Sequence, residues 1–358
     1  MKKQMLMLAA ALSLCAGVHA YNPPVDGENF YALTNPDMIM GGASATGGAF
    51  LNIVPSSICF NPALSGIEQR SIVDLSGTLF FNTDKVDFTG DADEGAGFGF
   101  QAGTIIPTRY YVFAATAQGL FADFNTLNLR DSFTVHGGIS KEIIEDVLYV
   151  GMNLYGGVFM GSGADFTVGA DFGALYFFDE NIGFLKKPRM GFALLNVGKP
   201  LSGYEIYGYR DGDGVKNDST YPSILTPRAS FAATLFDSQN FDGAFSVDLS
   251  FPTFQNLVCD VSFATTFFKM MTLSSSYQLN MRELAEGSNA AVLPSIGLSF
   301  HFVFSSNKLK DEWAQSELVP SLAWQKLYKD IHALSFGAKV NLGMADKSAP
   351  EIILWDEE

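Results

Sequence analysis

From Val147 to Met160 the chain alternates, with Leu148, Val150, Met152, Leu154, Val158 and Met160 on one side. Tyr149, Gly151, Asn153, Tyr155 and Gly157 fall on the other. A two-residue period belongs to an extended strand, whose successive side chains point to opposite faces. The pattern returns in Ala244 to Phe251, where Phe245, Val247, Leu249 and Phe251 oppose Ala244, Ser246, Asp248 and Ser250. It returns again near the end of the chain, with Leu334, Phe336, Ala338, Val340 and Leu342 against Ala333, Ser335, Gly337, Lys339 and Asn341. Ionised Asp248 must then face water or a partner. Roughly fourteen such segments begin near residues 71, 95, 109, 132, 146, 165, 188, 225, 241, 255, 270, 291, 316 and 329. Most run about ten to fifteen residues, whereas strands of globular proteins usually run about five or six and a tilted membrane strand needs about nine to eleven. The length predicts an all-β chain that crosses a membrane as an antiparallel β-barrel of about 14 strands.

Composition supports the same solvent. Hydrophobic residues make up 47% and charged residues 17%, yet after the first twenty residues no uncharged apolar run reaches the eighteen or so that a spanning helix requires. An open sheet edge in hydrocarbon would leave backbone donors and acceptors without water, so the sheet has to close on itself. The 32 Phe and 13 Tyr suit a lipid-facing wall with aromatic girdles, and the 35 Gly suit tight turns and crowded wall positions. A soluble β-sandwich or a propeller is the rival architecture. The long segments and the lack of a blade-sized repeat disfavour it.

The first twenty residues read as an address. Lys2 and Lys3 precede an apolar run from Met5 to Ala16, and Val18, His19 and Ala20 offer a small-residue cleavage site. This is the pattern of a secretory signal peptide, placing the start of the exported chain near Tyr21. A lipoprotein signal at Cys15 is disfavoured by Leu14 before it. Export removes Lys2 and Lys3, leaving 20 Lys and Arg against 38 Asp and Glu, a formal charge of −18. Such acidity, without a basic stripe, excludes nucleic acid as a partner. Cys59 and Cys259 remain, two hundred residues apart with no framework spacing, and two free thiols are expected.

Four segments depart from the wall pattern. Residues 21–70 are rich in Pro, Asn, Gly and Ser, but Phe50, Leu51, Ile53, Val54, Ile58 and Phe60 want burial, so an ordered plug in the lumen is expected ahead of a barrel over 71–343. Residues 199–224 form the longest polar break, which suits an outward loop. Its Asp211, Asp213, Asn217 and Asp218 lack the spacing of a calcium loop and read as a solvated turn. Residues 305–318, with Lys308, Lys310, Asp311 and Glu312, form another solvated break, and residues 344–358 read as a short periplasmic tail.

Catalytic and metal chemistry find little to stand on. His136, His301 and His332 lie on separate strands with no chelating pair, so no metal and no cofactor are expected. There is no Gly-x-Ser-x-Gly elbow and no phosphate-cradling Gly loop ahead of a helix, while Gly97-Phe98-Gly99 sits inside a strand pattern. A chain that is not an enzyme is expected.

The run Met40-Gly41-Gly42-Ala43-Ser44, followed by Cys59-Phe60-Asn61-Pro62-Ala63-Leu64-Ser65-Gly66, resembles the opening of the FadL-type outer-membrane transporters of hydrophobic compounds. There a Gly- and Ala-rich segment leads to Asn-Pro-Ala just before the first strand and folds as a hatch inside a fourteen-stranded barrel. Asn61, Pro62 and Ala63 match that element residue by residue. Gly191-Phe192-Ala193-Leu194-Leu195-Asn196-Val197-Gly198 resembles a mid-barrel strand of the related PorV branch and of spirochaete relatives. The chain departs from the family in lacking a terminal aromatic strand and in being somewhat shorter.

The resemblance implies passive uptake of long-chain fatty acids or similar molecules, with lipids and detergents as further hydrophobic partners and outer-membrane lipid around the wall. Gly41, Gly42, Ser44, Asn61, Pro62 and Ala63 would form the gate, and ligand would leave sideways through the wall. Gly119, beside Gln118, is the candidate for the kink such an exit needs, against a plain packing glycine. A PorV-like scaffold that docks secreted proteins and a general diffusion porin are the alternatives.

Overall fold

The computed structural model describes residues 27–82, 96–122, 131–160, 164–199, 201–207, 216–221, 225–254, 256–281, 294–304, 314–327 and 331–344. The signal peptide, the start near Tyr21, the Asp211 to Gly214 run, Lys308 to Glu312 and the tail beyond Met344 lie outside the described residues.

Seven long strands come first: β1 (Ser71–Asn82), β2 (Ala96–Pro107), β3 (Val112–Ala122), β4 (Asp131–Ile144), β5 (Leu148–Met160), β6 (Ala164–Phe177) and β7 (Lys186–Lys199). A separate hairpin, β8 (Leu201–Tyr207) and β9 (Lys216–Tyr221), falls within the polar break expected to be loop. The wall resumes with β10 (Thr226–Asp237), β11 (Phe241–Ser250), β12 (Val258–Phe267) and β13 (Met271–Asn280). It ends with β14 (Ser295–Phe300), β15 (Phe302–Phe304), β16 (Ser316–Lys326) and β17 (Ile331–Leu342). Each wall strand runs antiparallel to its neighbours, and the sheet closes through β17 on β1 and through β14 between β13 and β16. β14 and β15 both pair with β16 and are two parts of one wall strand interrupted at His301, so the described residues form a closed barrel of fourteen strands. Among the described residues no helix is long and apolar enough to cross a membrane.

The wall is inside out relative to a soluble protein. Leu75, Phe98, Phe113, Ile139, Leu154, Phe166, Phe192, Phe263 and Phe336 are exposed, while Asp74, Gln101, Gln118, His136, Asn153, Asp171, Arg189, Arg228, Asp248 and Lys339 are buried. Hydrocarbon outside and polar groups inside is the arrangement that a bilayer selects and water rejects. Leu154, 59% exposed at the middle of β5, should therefore tolerate no charge. Leu154→Arg is expected to cost about 2–4 kcal/mol in unfolding from liposomes, as for a cation at the bilayer midplane. Equal stability of the two proteins would contradict a lipid-facing position.

Residues 31–65 are buried almost throughout. They form short helical turns, among them Met38–Gly42, Pro55–Cys59 and Pro62–Ile67, that contact β1 to β6 on one side and β12, β13, β14, β16 and β17 on the other. Ile53, Val54, Ile58 and Phe60 join Leu33 and Met38 in one apolar cluster with Ile72, Phe80, Ile105 and Leu120 of the wall.

Candidate functional site

Buried polar side chains of the wall hold the backbone of the 31–67 segment from many directions. Asn35 donates its amide to Asp74 and Gln101, both at 2.8 Å, and its own oxygen accepts the Asp37 N–H at 2.9 Å. Thr34 donates to Gln118 at 2.9 Å, and its carbonyl accepts from Ser76 at 2.7 Å. Across the barrel, Arg189 donates to the carbonyls of Thr46, Gly48 and Ala49. Arg228 donates to the Ala43 carbonyl at 2.8 Å, while Asp248 accepts the Ala45 N–H at 2.8 Å and pairs with Arg228. Lys339 reaches Asn52 at 2.6 Å and the Ile53 carbonyl at 3.1 Å, and Ser295 reaches the Ile39 carbonyl at 2.8 Å. Burial pushes the Asp37 carboxyl above its ordinary range, against the pull of the Lys339 charge and the Asn52 amide that donates to it. A segment with few backbone ladder bonds of its own thus has its carbonyls and amides satisfied by wall side chains.

The residues singled out from sequence do different work within this set. Gly41 has φ +106°, a conformation that side chains rarely adopt, and it lies against Ser262 of β12. Gly42 is packed on the Asp37 carbonyl. Ser44 accepts the Gly48 N–H at 2.8 Å, closing the small-residue turn. Asn61 begins the Pro62–Ile67 turn: its oxygen accepts the Ala63 N–H at 3.0 Å, and its amide donates to Ala45 at 2.7 Å and to Ala174 of β6 at 3.1 Å. One side chain therefore ties both halves of the segment to the wall. Pro62 supplies the fixed first position of that turn, and Ala63 is fully buried.

Inward glycines of the wall make room for the segment. A Cβ at Gly103 would meet Pro55 at 2.5 Å, and one at Gly151 would meet the Pro62 carbonyl at 2.5 Å. Gly173 faces Asn61, Gly191 faces the Ala45 carbonyl and Gly297 faces Met40 in the same way. Nothing local in the sequence marks these glycines, because each is defined by a contact across the bore.

Gly119 is placed differently from the kink expected of it. Its pairing with Phe100 and Phe133 runs through without a register shift, and a Cβ there would meet the Phe100 ring at 2.5 Å. It serves as a packing glycine under an outer aromatic ring. Where β6 meets β7, the register shifts between Ala170 and Phe172, opposite Asn196 with φ +61°. The Asp171 carboxylate accepts the Asn196 N–H at 2.7 Å there, and β10 pairs with β7 only from Leu195 downward.

The remaining groups are dispersed. His136 is enclosed, His301 borders a cavity of about 370 Å³ with Glu317 and Lys339, and His332 stacks between Phe81 and Trp324. Among the described residues no group of three or more His, Cys, Asp or Glu could hold a metal ion. Cys59 and Cys259 are both free thiols, and burial pushes that of Cys59 well above its usual range.

The barrel matches that of the P. putida toluene transporter TodX with a TM-score of 0.51 and 12% identity, over 86% of this chain and all 100% of that one. The CymD monoaromatic hydrocarbon channel matches at 0.48 and 13% identity, over 90% and 100% of the two chains. The Acinetobacter baumannii outer membrane protein Omp33 matches at 0.39 and 9%, over 77% and 100%. No family model and no curated protein matches the sequence. The likeness to TodX is one of fold, and that fold is the fourteen-stranded barrel expected from the FadL-type resemblance.

Proposed function

We propose that this chain is a passive outer-membrane channel for hydrophobic small molecules, delivered by the signal peptide read over residues 1–20, and that the segment with Gly41, Gly42, Ser44, Asn61, Pro62 and Ala63 is its hatch. The observation that carries this reading is a lipid-facing barrel whose bore is occupied by an ordered segment, held by wall side chains that hydrogen-bond its backbone and by an apolar cluster shared with the wall. An occupied bore argues against a general porin, which needs a wide aqueous passage. Toward the loop that follows β5, the inward residues turn apolar: Phe80, Leu120 and Phe159 cluster with Tyr31 and Leu33. Such a surface accepts a hydrocarbon leaving water and passes it to the hatch. Sideways release is assigned to the irregular β6–β7 junction at Asp171 and Asn196 in place of Gly119.

Long-chain fatty acids are the narrower substrate reading, and toluene, the compound named for TodX, is the comparison. In liposomes carrying the full chain, uptake of radiolabelled toluene or oleate is expected to exceed that of protein-free liposomes. Uptake should change when residues 41–66 are deleted. Identical uptake by intact and deleted protein would end the hatch reading. Stable co-purification with a secreted protein, without any uptake, would favour a scaffold of the PorV kind.

A further inference from the structure

Below the apolar cluster lies a buried polar chain whose described hydrogen bonds stay within the wall. His136 of β4, Asn153 of β5 and Asp171 of β6 are each almost wholly inaccessible. Asn153 donates one amide hydrogen to Asp171 at 2.7 Å and its amide nitrogen lies 3.1 Å from His136 Nδ1. The carboxylate dictates which way that amide faces, since only the nitrogen end can donate to it. Both amide hydrogens are then spent, Nδ1 is an acceptor, and the imidazole proton sits on Nε2. That Nε2 donor and the Asn153 Oδ1 acceptor both lack a partner among the described residues. Leaving such groups buried and unpaired is costly, so a molecule that supplies the missing bonds is favoured.

We propose that His136 and Asn153 form the head-group site for a neutral hydroxylated amphiphile, such as an alkylphenol. A hydroxyl is at once a donor and an acceptor, which suits this pair. Tyr155 stacks on His136 with centroids 5.2 Å apart, and Tyr31 meets it edge-on at 4.8 Å, so the imidazole sits in aromatic surroundings akin to a phenol ring. Phe159 lies four residues along β5 from Tyr155, about 13 Å at about 3.3 Å per residue, so an apolar tail of that length reaches the Phe80, Leu120 and Phe159 cluster. A carboxylate head is disfavoured, because the side chains bonded to or stacked on His136 and Asn153 include the anion Asp171 and no cation. The proposal rests on the hydrophobic-channel reading and narrows it to a neutral head.

The test compares 4-octylphenol, octylbenzene and 4-octylbenzoate on the full chain in nanodiscs, with empty nanodiscs as the blank. Binding of octylphenol is expected to be about tenfold tighter than that of either analogue, as one recovered hydrogen bond implies. His136→Phe, which keeps a ring against Tyr155, should abolish that preference, and His136→Gln, which restores a donor, should recover part of it. Equal binding of the three compounds, tightest binding of octylbenzoate, or a preference unchanged in His136→Phe would each overturn the site. The wild-type comparison alone decides if the variants do not fold. Octylbenzene uptake into liposomes without any hydroxyl preference would sink the site and leave the channel standing. A hydroxyl preference without uptake would do the reverse.

Discussion

Deleting residues 32–66 is expected to turn a barrel that carries no steady ionic current in a planar bilayer into one with a stable ohmic conductance. The wall closes through its own strand ladder, with β1 paired to β17 along their full lengths, so the cylinder does not depend on the segment for its hydrogen bonds. What the segment does provide is matter in the bore, and removing it exposes Asp74, Asp248, Arg189, Arg228 and Lys339 to water that ions can enter. A milder version is Asn61→Leu, which removes the bonds to Ala45, Ala63 and Ala174 together and should give intermittent openings. A deleted protein that stays electrically silent, with its barrel verified by circular dichroism, would show that something other than this segment blocks the passage.

The second large effect is expected at Arg228. Its guanidinium pairs with Asp248, lies 3.9 Å from Asp260, donates to the Ala43 carbonyl and sits 5.4 Å above the Phe60 ring. The Arg228 and Asp248 side chains are 2% and 1% exposed. Removing one member of such a pair strands the other charge without water, and Arg228→Ala is expected to destabilise the barrel by about 3–5 kcal/mol. Arg228→Met combined with Asp248→Leu removes both charges and should lose far less, although the Ala43 carbonyl and Ala45 amide are still left open. Urea titration in liposomes measures both, and protease cleavage within 41–50 reports whether the segment has come loose. A double variant no more stable than Arg228→Ala would mean that the pair is not the source of the loss.

Much of the wall could be read directly from the residues, because a bilayer outside and a polar bore inside impose a two-residue period with little tolerance. The segments anticipated near 71, 95, 132, 165, 241 and 316 begin at Ser71, Ala96, Asp131, Ala164, Phe241 and Ser316. Asp248 was bound to need water or a partner on its sequence alone. That the partner is Arg228 was not legible, since the two meet only when β10 and β11 pair in their observed register. The same holds for Arg189 and Lys339, which bind main-chain carbonyls and so leave no signature in the segment they hold. Gly119 carried two readings for the opposite reason: a lone glycine in a strand can mark a kink or, more commonly, a packing position, and the ring that covers it comes from a neighbouring strand. The His136, Asn153 and Asp171 chain likewise spans three strands and has no local spacing to betray it.

Two of the grips on residues 31–67 come from β1 and from β17, one at each side of the seam where the first and last strands join. Lys339 follows the segment it holds by more than 250 residues, so this hold can form only once the final stave has been made. The cylinder can close by its own ladder whether or not that last hold has been made, so closure of the wall and fixing of its contents are separate steps.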